Sequence, residues 1–290
     1  MRCVRGMSGE ELASFAAEDF RDVRELKIRL RSLHGFPLCL QQLLCDGDQL
    51  KDDDPVASEL MLVLRTAVTA EQQHKAAEEL VCYAADGGFL EVARLLLQAG
   101  ADRNYCRYAT GCDKKMQWDN NGCTALSRAA NRGHVELVRL LLEAGADPDV
   151  QDEDGMTALM HAVHEGHIEI ARLLVEAGAG KDLVDEEETT ALMAAAGAGH
   201  IEIARLLVDA GANVNLDDAF GTALMWASSK GHAEIVHLLV DAGADINFLD
   251  SSGNSALSLA RKKGHGSIAA FLSEQGCCEG PTPEAKRCRQ

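Results

Sequence analysis

Five glycines, Gly133, Gly166, Gly199, Gly231 and Gly264, stand 33, 33, 32 and 33 residues apart, and each opens a similar run of sequence. Gly166–Ala179 returns almost letter for letter at Gly199–Ala212. Looser copies begin at Gly133, Gly231 and Gly264, and a degraded one begins at Gly88. A fixed period of this size marks a stack of short supersecondary units.

Each unit assigns its own geometry. Thr124, Thr157, Thr190, Thr222 and Ser255 precede Ala-Leu, where a hydroxyl can accept from the free N–H groups of a helix's first turn. The glycine that follows ends this short helix, because glycine takes left-handed angles at little cost. A second helix has apolar residues at helical spacing, as in Ile168, Ala171, Leu173 and Leu174. Gly-Ala at 145–146, 178–179, 211–212 and 243–244 stops it, and the Asp/Asn-rich segment beyond is turn chemistry. Two short helices cannot bury their apolar faces alone, so neighbours must stack.

Thr-Ala-Leu-Met, Gly-His-Ile-Glu-Ile and Ala-Gly-Ala-Asn-Val-Asn resemble the ankyrin repeat. Ala replaces the Pro of its usual Thr-Pro-Leu-His opening, and Ser127, Met160, Met193, Met225 or Ser258 replaces the His. The resemblance runs over roughly residues 72–275. It implies an all-α solenoid of about six helix-pair units across residues 71–276, with a concave groove that holds protein partners.

On each first helix the Leu and Ala of Thr-Ala-Leu-x-x-Ala form an inward stripe. The residue before that Ala points away, and its face continues three or four positions later. This outer row reads Arg128/Arg132, His161/Glu165, Ala194/Ala198, Trp226/Lys230 and Leu259/Lys263. The turn tips are acidic at Asp152–Asp154, Asp185–Glu188 and Asp217–Asp218. A mildly basic wall therefore faces acidic fingertips. The expected protein-binding residues are Arg128, Arg132, His161, Glu165, Trp226 and Lys230, with Trp226 as anchor. On this reading Trp226→Ala and Arg128→Glu weaken a partner without unfolding the stack. The alternative is that Trp226 only covers a neighbouring helix.

Residues 1–67 do not share the repeat. Val4–Phe15 reads as two strands about a Ser8-Gly9 turn, Val23–Leu33 as a helix with Val23, Leu26, Ile28, Leu30 and Leu33 on a sheet, and Leu40–Cys45 and Met61–Leu64 as later strands. This order resembles ubiquitin, with matching residues at Lys27, Gly35, Pro37, Gln41, Leu43, Gly47, Gln49, Leu50 and Asp52. The resemblance implies a small α+β, β-grasp domain. The stretch between Asp52 and Met61 is shorter than in ubiquitin, and the chain runs on through Thr66-Ala67-Val68 without a terminal Gly-Gly, so it cannot be conjugated. Ubiquitin's apolar recognition patch falls on Met7, Leu44 and Val63, which allows contact with ubiquitin-receptor or proteasome subunits; a small sheet also exposes some apolar side chains for no such purpose.

Between Asn104 and Thr124 lie 20 positions where the next unit uses 8, Asp149 to Thr157. This inserted finger, residues 105–120, carries Tyr105, Tyr108 and Trp118, side chains favoured as interface anchors. They either meet a partner or fold back on the first unit. At Gly180–Thr190 a second irregularity places Gly180 where other units have Asp or Asn, and Glu188 where Gly155 and Gly253 sit. With the small residues 194–198, it marks either a weak seam or a merely solvated acidic loop. Residues 277–290 read as a flexible tail with free thiols at Cys277, Cys278 and Cys288.

A formal charge of −18 opposes nucleic-acid binding, and no apolar run reaches the ~18–20 residues of a membrane span. Without a signal-peptide pattern, ten cysteines suit reduced thiols in cytoplasm or nucleus. No metal or cofactor is expected. His161, His164 and His167 have no obvious carboxylate support beyond Glu165, and Cys106, Cys112 and Cys123 lack the spacing of a zinc motif. No Gly-x-Ser-x-Gly, P-loop or dinucleotide fingerprint is present, so an enzyme is not expected. Two functions remain: an adaptor whose groove holds a protein and whose N-terminal domain meets ubiquitin-system receptors, or a regulatory array that masks a partner with that domain as a structural cap.

Overall fold

The computed structural model describes residues 2–5, 11–15, 23–34, 41–45, 48–49, 51, 59–64, 70–86, 90–108 and 121–277. The N-terminal part is a mixed sheet with one helix: β1 (Arg2–Arg5), β2 (Glu11–Phe15), α1 (Val23–His34), β3 (Gln41–Cys45), β4 (Asp48–Gln49) and β5 (Glu59–Leu64). The strand order is β2-β1-β5-β3-β4. β1 pairs antiparallel with β2 and parallel with β5, where Val4 faces Leu60, and β3 pairs antiparallel with β5, where Leu43 faces Leu62. Parallel neighbours cannot be joined by a hairpin, and α1 lies in the connection that carries the chain across.

α1 buries Val23 and Leu26 completely, but Ile28 is 51% exposed, against the expectation that it faces the sheet. Two residues beyond Leu26, it lies about 200° around the helix from that stripe. Gln41 is buried, and its Nε2 donates to the Lys27 carbonyl at 3.2 Å.

Six helix pairs follow among the described residues. They are α2 (Ala70–Asp86) with α3 (Leu90–Gln98), α4 (Ala125–Arg132) with α5 (Val135–Glu143), and α6 (Ala158–His164) with α7 (Ile168–Glu176). Next come α8 (Ala191–Ala198) with α9 (Ile201–Asp209), α10 (Ala223–Lys230) with α11 (Ala233–Asp241), and α12 (Ala256–Lys263) with α13 (Gly266–Glu274). One continuous apolar core runs through all six, and the predicted inward stripe, from Leu126 and Ala129 to Leu257 and Ala260, is buried throughout. On α7 Ala171, Leu173 and Leu174 are buried as expected, but the buried isoleucine is Ile170, while Ile168 is half exposed.

Thr124, Thr157, Thr190 and Ser255 cap their helices as the sequence indicates, each accepting from the N–H three residues on at 3.1–3.3 Å. Thr222 does not cap, and its buried hydroxyl has no partner. Its finger is one residue short, which accounts for the 32-residue step. Gly221 and Thr222 are drawn into a small strand, β9, that pairs with β8 (Asp217–Asp218).

The helix-ending glycines answer two demands. Gly199 has φ 82°, and a Cβ on it would lie 2.5 Å from Cε1 of His232 in the next unit. That imidazole reaches back to hydrogen-bond the Gly197 carbonyl at 3.2 Å, and His167 and His265 do the same to Asn131 and Ser229. Between units the turns form a ladder. Asn104, Asp149, Asp182 and Asn215 accept through Oδ1 from the backbone N–H of Asp147, Gly180, Asn213 and Asp245, at 2.7–2.8 Å.

Candidate functional site

The fingers are folded by one aspartate each. Asp152 Oδ1 accepts from the N–H groups of Asp154 and Met156, Asp185 Oδ1 from Glu187 and Thr189, Asp218 Oδ1 from Phe220 and Gly221, and Asp250 Oδ1 from Ser252 and Asn254. This local bonding is what Asp does in a tight turn. It leaves Oδ2 free to reach the wall. Asp152 Oδ2 lies 2.8 Å from His161 Nε2, and the Cys123 thiol donates to it at 3.7 Å. Asp218 Oδ2 accepts from Trp226 Nε1 at 3.0 Å and from Thr189 Oγ1 at 3.3 Å. These contacts latch finger to wall.

Burial raises the Asp152 carboxyl pKa, but the His161 contact and the Met156 and Asp154 N–H groups outweigh it and hold the acid below its usual range. Burial pushes the Cys123 thiol up to about 11. The sequence expectation that His161 has no carboxylate beyond Glu165 is therefore corrected: its carboxylate is Asp152, nine residues earlier and brought back by the turn. His164 instead meets Glu165, and His167 the Asn131 carbonyl, so the three histidines do not converge.

The wall differs from the expected row in two further places. Arg128 is only 9% exposed, so it does not present its charge to a partner, and Arg128→Glu would put an acid into a buried position. Trp226 is half buried. Its ring lies over Gly197, where a Cβ would come within 2.9 Å of Cε3, and its indole N–H is spent on Asp218. Trp226→Ala therefore removes a latch and a cover as well as a wall side chain. Arg132, Glu165 and Lys230 are exposed, as a wall requires.

At the fingertips Glu153, Asp154, Glu186, Glu187, Glu188 and Asp217 are exposed, whereas Asp218 is buried. Sequence reasoning missed Phe220. It is 63% exposed and meets Trp226 edge to face, with ring centroids 5.7 Å apart. A signal was available: the other fingers place Asp154, Glu187 and Ser252 at the same step from their turn aspartate.

In the inserted finger, β6 (Arg107–Tyr108) pairs with β7 (Asn121–Cys123). Tyr105 packs against the core and meets His74 of α2 edge-on at 4.9 Å, so it folds back on the first unit. Trp118 and Met7 lie outside the described residues. Leu44 pairs with Met61 and Val63 with Gln42 in the sheet. Cys277 is buried, its thiol donating to the Ile246 carbonyl at 2.8 Å, so it belongs to the end of the stack and not to an open tail; residues 278–290 lie outside the described residues.

The family model described as ankyrin repeats (3 copies) matches residues 34–152, 144–218 and 215–282, well over half of the chain. The chain belongs to the ankyrin-repeat family. Ankyrin repeats are interaction modules that generally bind proteins, and the match indicates no catalytic family. Its first block starts at residue 34 and so extends across β3, β4 and β5, where the structure has strands. The kinship therefore rests on the repeats and does not extend to a named N-terminal domain. No curated protein matches the chain. No helix among the described residues is long and apolar enough to cross a membrane.

Proposed function

We propose that the chain is a non-catalytic adaptor. The space between Arg132, Glu165 and Lys230 on the wall and the acidic fingertips captures a protein segment bearing basic and apolar side chains. The observation that carries this reading is Phe220: a large apolar side chain, 63% exposed, among acidic tips. An exposed aromatic ringed by charge is the composition of an interface anchor. Cytoplasm or nucleus is the proposed compartment, where the thiols of Cys82, Cys106, Cys123 and Cys277 stay reduced.

The N-terminal sheet is proposed to act as a ubiquitin-like module that meets ubiquitin-receptor or proteasome subunits. Support comes from the strand order β2-β1-β5-β3-β4, the parallel β1–β5 pair, and the bond between Lys27 and Gln41, two of the matching residues. Fold alone does not assign a function, so this half is tested separately.

The test is capture from lysate by the full chain, by Phe220→Ser with Lys230→Glu, and by Leu44→Asp with Val63→Asp. Array-dependent partners should fall at least ~10-fold with the first pair of changes, the loss of one good anchor. Ubiquitin-system subunits should fall only with the second pair. Partners indifferent to the first pair would refute the groove. Indifference to the second would leave an array that masks its partner, with the sheet as a cap.

A further inference from the structure

The latch between the inserted finger and the following unit differs chemically from the others. Its three groups are the Cys123 thiol, the Asp152 carboxylate and the His161 imidazole, with one possible ligand atom from each lying within 4.8 Å of the other two. The equivalent positions two units on hold Thr189, Asp218 and Trp226, whose hydrogen bonds at 3.3 and 3.0 Å repeat the geometry with groups that cannot jointly take a metal. The remaining sets, Met156/Asp185/Ala194 and Gly221/Asp250/Leu259, offer one of the usual zinc-ligand side chains each. The fold thus builds this polar cluster by default, and one copy is filled entirely with ligand types.

We propose that Cys123, Asp152 and His161 bind a zinc ion that fastens the base of the inserted finger to the next unit. The distances suit it. Around a tetrahedral zinc, thiolate sulfur and carboxylate oxygen sit about 3.6 Å apart given their usual bond lengths. Cys123 Sγ and Asp152 Oδ2 are 3.7 Å apart. The imidazole and carboxylate atoms, now 2.8 Å apart, must separate by about half an ångström to accept the ion between them. Asp152 can pivot at Oδ2 while Oδ1 stays on its two N–H groups. Its side chain is only 2% exposed and that of His161 14%, so solvent reaches the cluster from the histidine side, where a water can complete the coordination.

The charges balance. The ion displaces the Cys123 proton to solvent and meets one thiolate, one carboxylate and one neutral imidazole, which carries its proton on Nδ1. The result is a neutral site. Because the thiol must lose its proton to bind the ion, affinity should rise with pH. The inference is independent of the partner proposed above.

The experiment titrates the reduced, untagged, metal-free full chain with cobalt(II), the spectroscopic stand-in for zinc. One equivalent should bind with a thiolate-to-cobalt charge-transfer band and the strong visible absorption of four-coordinate cobalt, and zinc should displace it. Cys123→Ser should abolish the charge-transfer band. Asp152→Asn, which keeps the Oδ1 turn, and His161→Gln should each weaken binding at least ~10-fold. Asp218→Asn, at the equivalent latch, should leave the band unchanged. Thermal melting without metal checks that each variant is folded. If Cys123→Ser does not fold, loss of the wild-type band in His161→Gln decides. Absence of the band in the wild-type chain, or its survival in folded Cys123→Ser, overturns the proposal and leaves a hydrogen-bonded latch.

Discussion

Glu188 is the one non-glycine with positive φ among the described residues, at 63°, in the position where Gly155 and Gly253 have 76° and 77°. Left-handed angles cost a residue with a Cβ about 1–2 kcal/mol, while an added glycine loses roughly 0.5–1 kcal/mol through unfolded-state freedom. Glu188→Gly should therefore stabilise the array by about 0.5–1 kcal/mol and also thin the Glu186–Glu188 charge run. A melting-temperature rise of about 1–4 °C is expected, and a fall would contradict the account. His134 sets an acid-side limit. Burial, helped by the charges of Arg132 and His167, depresses its pKa below the ordinary 6.5. The folded state therefore prefers the neutral ring. The stability it contributes is present above pH 6.5 and is lost as pH falls through the depressed folded value. His134→Gln should lose less melting temperature than wild type between about pH 7.5 and about pH 5.5. Equal losses would place the acid sensitivity elsewhere.

At the scale of elements, the helix-ending glycines separate backbone cost from packing cost. Gly199 and Gly243 have nearly the same φ, 82° and 86°, yet a Cβ on Gly243 meets nothing within 4 Å while one on Gly199 strikes His232. Gly199→Ala should exceed Gly243→Ala in destabilisation by at least ~1 kcal/mol in denaturant melts, the overpacking share. Equal effects would mean the imidazole simply moves aside. These elements also show what a sequence discloses. The period, the caps and the inward stripe were legible because they are local: a hydroxyl bonds three residues on, and a glycine bends its own backbone. The partner of Trp226 and the carboxylate beside His161 were not, because each depends on a turn folding back across the wall. Counting positions along one helix cannot see that Asp152 and Asp218 arrive from outside it. Phe220 was legible in principle, by comparing fingers with one another.

Across the whole molecule the units are not equally joined. Gly180 has no side chain to accept from Asp182, whereas Asp147, Asn213 and Asp245 each accept from the N–H two residues on at 2.9–3.0 Å. Asp185 faces Ala194 at the position where Asp152 has His161 and Asp218 has Trp226, so the unit also lacks its wall latch. Glu188 adds strain to the same finger. Local stability in a stack is close to a sum of unit and neighbour terms, so these losses should concentrate. Amides of α8 and the finger before it should exchange with solvent faster than those of α6 and α10. Exchange no faster at 180–200 would dismiss the weak seam.

The backward reach of each histidine to the glycine of the preceding unit has a consequence for how such a chain can change length. The four joints from Gly133 to His265 are each shared, with the socket on one unit and the plug on the next, 34 residues downstream in the pairs Gly133–His167 and Gly166–His200. Removing one whole period presents Gly133 with His200, an equivalent plug, so the seam heals. Removing any other number of residues keeps the pairing only where the change falls in a turn, as in Gly199–His232, which spans the shortened Asp217–Thr222 turn at 33 residues. Gain and loss of sequence within the helix pairs is thereby quantised, whereas the shortened Asp217–Thr222 turn lies at an edge that carries no plug.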